Sequence, residues 1–256
     1  MNSSSATHNP ATPTARIEKS SKMGALYLIP TNLSAPFSSA TILPPDVVAI
    51  TSRLNHFIAE NAKTARLFLK SIGITRPMSD ISIVELDKHG KSADLNHLLA
   101  PLIAGDDMGL VSEAGAPAIA DPGASVVAAA HRAGVVVRPL VGPSSILLGL
   151  MASGLNGQTF AFHGYLPQDK NERSRVIQAL ERESKQNNVT QMFIETPYRN
   201  QALMQDLVAS LNPNTTLCIA TDLTGTMEYI RSKTVSQWRT NIVALDKLPT
   251  MFLFLA

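Results

Sequence analysis

Met108-Gly109-Leu110-Val111-Ser112-Glu113-Ala114-Gly115-Ala116-Pro117-Ala118-Ile119-Ala120-Asp121-Pro122-Gly123 is the stretch that decides the fold. Its apolar start, Met108 to Val111, reads as a short buried strand. Small residues follow as a loop, and Asp121-Pro122-Gly123 reads as a helix start, with Asp121 at the N-cap and Pro122 at the first helical position. The helix runs to His131 or Arg132, Gly134 closes it, and Val135-Val136-Val137 makes the next strand. Strand, helix and strand at this spacing form a parallel βαβ unit.

The same alternation extends outward. Ala25 to Ile29 is an apolar run stopped by Pro30 and reads as the first strand. Val47 to Ile50 predicts a second strand, Asn55 to Ile72 a helix closed by Gly73, Ile81 to Leu86 a third strand, and Asp94 to Ile103 a short helix before the turn Gly105-Asp106-Asp107. Beyond Pro139-Leu140-Val141-Gly142-Pro143 come a helix over Ser144–Ser153, a strand over Thr159–His163 and a helix over Arg173–Lys185. The strand Gln191–Glu195, the helix Gln201–Leu211 and the strand Leu217–Ala220 follow. Val235–Thr240 predicts a short helix, with Asn241–Leu245 and Met251–Leu255 as closing strands. The expectation is a polar, unstructured tail over residues 1–22, an N-terminal α/β domain over 23–139 and a C-terminal α/β domain over 140–256.

Composition narrows the classes. The chain has 256 residues, 45% hydrophobic and 16% charged, against about 25% charged in ordinary soluble domains. That leaves ample core and argues against a highly charged disordered chain. A net charge of +2 neither demands nor excludes a nucleic-acid partner, because cations can cluster locally. No apolar run approaches the length of a membrane span, and residues 1–22 lack a signal-peptide core, so a cytoplasmic protein is expected. The single cysteine, Cys218, lies in the apolar run Leu217-Cys218-Ile219-Ala220 and reads as a buried strand residue.

Several chemistries are missing from the sequence: the dinucleotide glycine fingerprint, the phosphate-cradling Gly-rich loop, the nucleophile elbow and any His/Cys zinc spacing. What remains is the small-residue loop after Val111. It is either a tight βα turn or a place where a flat ligand meets the backbone at the ligand-binding edge of a parallel sheet. Leu140-Val141-Gly142-Pro143-Ser144-Ser145 is either a rigid linker with an N-cap or a second wall of that site.

These blocks resemble the tetrapyrrole methylase superfamily, the class III methyltransferases, and within it the 16S ribosomal RNA cytidine 2′-O-methyltransferases. That branch carries Ser-Asp-Ala-Gly-Thr-Pro-x-Ile-Ser-Asp-Pro-Gly, which stands here as Ser112 to Gly123. Its Pro-Gly-Pro-Ser-Ala appears as Val141-Gly142-Pro143-Ser144-Ser145. Phe162-His163-Gly164-Tyr165-Leu166-Pro167 with Arg173, and Glu195-Thr196-Pro197-Tyr198-Arg199, are further matches. Three blocks depart. Thr-Pro-Ile-Gly-Asn-Leu is shortened to Pro30-Thr31-Asn32-Leu33, Ala-Glu-Asp-Thr-Arg reads Ala59-Glu60-Asn61-Ala62-Lys63, and Glu-Leu-Thr-Lys reads Asp222-Leu223-Thr224-Gly225.

The resemblance implies a tetrapyrrole methylase-like fold of two αβα domains, a mostly parallel N-terminal sheet and a mixed C-terminal one, with S-adenosyl-L-methionine bound between them. The residues it assigns to the donor are Pro30, Leu33, Ser112, Glu113, Ala114, Gly115, Ala116, Pro117, Ile119, Ala120, Gly142, Pro143, Ser144, Ser145, Tyr165 and Thr196. Glu60 is the first candidate base for an acceptor hydroxyl, and Glu113 is the candidate to orient the donor or help the base. Lys170, Arg173 and Arg199 are the candidates for an anionic substrate, and no metal is implied. The implied acceptor is ribosomal RNA or the small ribosomal subunit. A tetrapyrrole or other small acceptor, and a non-catalytic donor-binding protein, stand as alternatives. A homodimer is expected from the same resemblance.

Overall fold

The computed structural model describes residues 23–34, 42–86, 95–120, 122–245 and 247–256. The expected tail over 1–22, the helix start at Asp94 and the N-cap at Asp121 lie outside the described residues.

The first sheet contains β1 (Ala25–Ile29), β2 (His56–Ala59), β3 (Ser82–Glu85), β4 (Met108–Val111) and β5 (Val136–Pro139). Its order is β3-β2-β4-β1-β5, and every pairing is parallel. Alternate side chains therefore enter two different cores, as a sheet covered on both faces requires. Tyr27, Ile29, Phe57 and Ala59 pack with Val47, Phe68 and Leu69 on one face. Leu26, Ile58, Met108 and Leu110 pack with Leu102, Val126 and Ala130 on the other. Gly109 lets Ile29 and Phe57 close over β4, since a Cβ there would lie 2.6 Å and 2.7 Å from their side chains.

Two expected elements change places. Val47 to Ile50 is helical, inside α1 (Pro45–Arg53), and Phe57 and Ile58 are strand β2 rather than helix. Short apolar runs fit either state, and the deciding signal was Pro44-Pro45-Asp46 with proline and an acid in the first turn. The next helix, α2 (Ala62–Ser71), begins only after Asn61, whose side chain accepts from the backbone N–H groups of Lys63 (2.9 Å) and Thr64 (3.1 Å). The helix expected up to Ile103 is two short ones, α3 (Leu95–Leu98) and α4 (Ala100–Ala104). The βαβ unit closes through α5 (Ala124–Arg132), with Gly134 left-handed just beyond it.

After Pro139, chain continues into α6 (Ser145–Ser153) and the second sheet: β6 (Phe160–Tyr165), β7 (Thr190–Glu195), β8 (Thr216–Thr221), β9 (Tyr229–Thr234) and β10 (Thr250–Leu255). The order is β6-β7-β10-β8-β9; β6 and β7 are parallel and the other pairings antiparallel. Helices α7 (Lys170–Asn187), α8 (Asn200–Ser210) and α9 (Val235–Thr240) accompany it. Phe193, Phe252 and Phe254 form an aromatic stack against Trp238, Leu203 and Leu207 on one face. The opposite face takes Leu150 from α6 together with Met192, Cys218 and Leu253. The strand expected over Asn241–Leu245 is irregular chain, and β9, the half-exposed edge strand, was not expected. The fold is thus α/β with one parallel and one mixed sheet. Among the described residues no helix is long and apolar enough to cross a membrane.

Candidate active site

Parallel strands bring all their C-terminal loops to one edge of the first sheet. There the loops after β1 and β4 are stitched together: the Thr31 N–H donates to the Gly115 carbonyl (2.9 Å), and the Gly115 N–H donates to that of Thr31 (3.2 Å). Ser112 Oγ donates to the Gly115 carbonyl at 2.8 Å, and Thr31 Oγ1 to that of Ser112 at 3.3 Å. Gly115 has φ +75°, and a Cβ there would stand 2.9 Å from Leu33 Cδ2 and 3.6 Å from the Pro143 carbonyl oxygen. The β4 loop and the segment leading into α6 therefore meet. Gly142 packs as tightly, since its Cβ would fall 2.4 Å from Pro30 Cβ.

The meeting point opens into a cleft of about 280 Å3 between the two sheets. Of the residues expected at the donor, Leu33, Glu113, Ala114, Gly115, Ala116, Ile119, Ala120, Ser144, Ser145 and Tyr165 line it. Ser112 stands behind them as a hydrogen-bonded support, and Pro30, Gly142 and Pro143 set the spacing through the contacts just given. Pro117 lines a separate apolar groove between α5 and β5, and Thr196 an outer groove beside Tyr165.

The second sheet supplies walls that the sequence reading missed. Phe162, Ile194, Glu195, Ala220, Leu223, Thr250 and Met251 all line the cleft. Glu195 stood in a matched block and was legible there. Thr250 and Met251 gave no local signal, because only the antiparallel placement of β10 brings its first residues to this edge.

The charged candidates separate by environment. Glu113 is exposed and at the cleft, whereas Glu60 is not among the lining residues, and its buried Oε1 has no hydrogen-bond partner among the described residues. Glu195 is 2% exposed at its side chain; its Oε1 accepts from the Thr196 N–H (2.6 Å) and from Arg199 Nε (3.0 Å) and Nη2 (2.6 Å). Lys170 is exposed at the start of α7. Arg173, expected at an anionic substrate, turns inward instead. Its Nε (2.8 Å) and Nη2 (2.5 Å) reach Asp206 Oδ2, and Nη1 reaches the carbonyls of Pro167 (2.9 Å) and Gln168 (2.8 Å). With both partners buried, Arg173 fixes the Pro167–Gln168 turn to α8 and has no edge left for a ligand.

Small residues on one wall, apolar side chains on the other and two carboxylates suit a nucleoside that carries a positive charge. This site on two such sheets defines the class of S-adenosylmethionine-dependent methyltransferases with the tetrapyrrole methylase fold. The methyltransferase CobJ has that fold at a TM-score of 0.58 and 15% identity, with 90% of this chain and 93% of that one covered. Uroporphyrin-III-C-methyltransferase from Thermus thermophilus matches at 0.53 and 17%, over 91% and 92%. In sequence, proteins named ribosomal RNA small subunit methyltransferase I are nearer. That of Synechocystis is 33% identical over 202 residues, covering 79% of this chain and 68% of the relative. That of Escherichia coli O157:H7 is 30% identical over 214 residues, covering 84% and 70%. No protein-family model matches the chain. The chain belongs to the ribosomal RNA small subunit methyltransferase I family.

Breaking one side of the Arg173–Asp206 pair strands a buried charge. Arg173→Met is expected to cost about 3–5 kcal/mol in urea denaturation. A loss under about 1 kcal/mol would return Arg173 to the side chains free for an anion.

Proposed function

We propose that this protein transfers a methyl group from S-adenosylmethionine to a ribose 2′-hydroxyl of small-subunit ribosomal RNA, in the cytoplasm, using a cleft between domains 23–139 and 140–256. The observation that carries the reading is the approach of Gly115 to Pro143, which creates a slot where the two sheets' edges face each other. The relatives named above support the acceptor. So does the cleft's shape: it shares Tyr165 with an outward groove, which suits a polymer better than a small tetrapyrrole.

Bound S-adenosylmethionine supplies a methyl already activated by its sulfonium. The chain's task is therefore to place the acceptor, exclude water and take one proton. Backbone and small side chains at Ala114–Ala116 hold the adenosine side. Ser144 and Ser145, at the start of α6, offer hydroxyls to its polar groups, and Phe162, Ile146 and Leu223 give an apolar wall. Glu113 takes the proton of the acceptor hydroxyl. Glu60 does not line this cleft among the described residues, so Glu113 takes its place as the base in this reading. Glu195, already committed to Arg199, is a fixed, charge-compensated wall of the cleft.

We also propose a homodimer formed on the outer face of α6. This helix, Ser-Ile-Leu-Leu-Gly-Leu-Met-Ala-Ser, has no charged residue, and Leu147 and Met151 remain 55% and 78% exposed. An apolar helix face of this kind is matched by a second copy through two-fold symmetry.

Three measurements test these statements. Glu113→Gln is expected to lower methyl transfer to small-subunit ribosomal RNA about 100-fold or more with donor affinity retained, while Glu60→Gln leaves both near wild type; full turnover by Glu113→Gln would remove it from the reaction. Gly115→Val, at a positive φ and against Leu33, is expected to weaken donor binding in calorimetry by about tenfold or more. Equal affinity in a folded variant would take the loop out of the donor site. Met151→Glu is expected to convert a sedimenting dimer to monomer, and a monomeric parent protein would refute the interface.

A further inference from the structure

The stretch Glu195-Thr196-Pro197-Tyr198-Arg199 is a partition. Glu195 and Pro197 line the donor cleft, whereas Thr196 and Arg199 line the outer groove of about 580 Å3 with Tyr165, Pro167 and Gln168. The partition is stiff, because Pro197–Arg199 forms a 3-10 turn closed by the Arg199 N–H on the Thr196 carbonyl (2.8 Å). Glu195 holds Arg199 by two nitrogens, and the third, Nη1, has no partner among the described residues. At the crest stands Tyr198, 80% exposed, with Lys247 Nζ 5.1 Å from its ring centroid.

A tyrosine this exposed contributes little to a core. It does present a flat π-surface, and the ammonium covers one face only. Aromatic side chains beside cations are how proteins hold unpaired nucleotides, the ring stacking on a base and the cations meeting phosphates. The fixed guanidinium edge suits a phosphate better than a freely rotating one would. Resting on the proposal that the acceptor is RNA, we infer that Tyr198, flanked by Lys247 and Arg199, is the stacking platform for an unpaired nucleotide next to the methylated one. The donor lies on one side of the partition and the flanking RNA on the other.

The test uses the full chain, a short fluorescein-labelled single-stranded RNA, and calorimetry with S-adenosylmethionine. Tyr198→Ala is expected to weaken RNA binding about 5- to 100-fold, Tyr198→Phe to retain it, and Lys247→Ala to weaken it while flattening its salt dependence. Donor affinity stays unchanged in all three, which separates a lost platform from a lost fold. In methyl transfer the Tyr198→Ala defect appears in KM for RNA more than in kcat. Undiminished RNA affinity in Tyr198→Ala overturns the inference. So does a defect confined to assembled small subunits and absent on bare RNA, which would make Tyr198 a protein contact. If the parent protein binds the short RNA through Tyr198 yet methylates no ribosomal RNA, the platform stands and the proposed acceptor falls.

Discussion

Two backbone segments from distant parts of the chain meet at Gly115, where an added Cβ would press on Leu33 Cδ2 at 2.9 Å. Its paired hydrogen bonds with Thr31 fix the loop after β4 to the loop after β1, and the Pro143 carbonyl lies where a larger residue would push. A left-handed backbone at φ +75° adds a second reason for glycine. The rest of the loop is bent just as hard. Ala118 and Ala120 also have positive φ, a conformation that costs a residue with a Cβ about 1 kcal/mol or more. That strain is offset by what the loop connects, a fully buried β4 and an α5 whose Val126 and Ala130 are 0% exposed. The cleft wall is thus held from behind, by strand and helix, rather than by contacts within the cleft.

A site of this design needs no thiol nucleophile, and among the described residues that line it there is no cysteine. Cys218 lies in the middle of β8 among the apolar side chains behind the cleft, and burial pushes its thiol up from the ordinary cysteine range, partly countered by a hydrogen bond with Ser232. A protonated, enclosed thiol is a packing residue. The charges at the cleft are carboxylates, one exposed at Glu113 and one buried and paired at Glu195, which is the sign that a cationic ligand would meet favourably.

Legibility in the sequence followed how local each signal is. The βαβ unit from Met108 to Pro139 could be read because its strand, its helix and its closing glycine all lie within one stretch, although the helix starts later than expected, with Gly123 as N-cap and Pro122 in the turn before it. Val47 to Ile50 and Phe57 to Ile58 were exchanged between helix and strand because four apolar residues fit both, and tertiary packing decided. The small-residue loop after β4, which lines the cleft, was legible for the same reason as the βαβ unit. Thr250 and Met251 were not, since their place depends on β10 running antiparallel between β7 and β8. Arg173 was misread because a sequence shows a cation but not the Asp206 that consumes it, 33 residues further on.

The departures from the family pattern also resolve into one arrangement. Asp222 replaces a glutamate and Gly225 a lysine, while the loop after β1 is shortened. In the structure Asp222 is 3% exposed, and its carboxylate accepts from Ser34 Oγ, in that shortened loop, and from the Met227 N–H at 2.8 Å. The Asp222 carboxylate fills the space beside residue 225, where a Cβ would fall 2.1 Å from Oδ2. A side chain at that position would have to displace the Asp222 carboxylate, so Gly225 leaves room for it. Ser34, just after Leu33, supplies the partner from the first half of the chain. The Ser34–Asp222 hydrogen bond ties the two halves of the chain together, with Leu33 and Leu223, both cleft residues, adjoining its ends. With glycine at 225, this end of the cleft carries a buried hydrogen-bonded link between Leu33 and Leu223 rather than a side chain from that position.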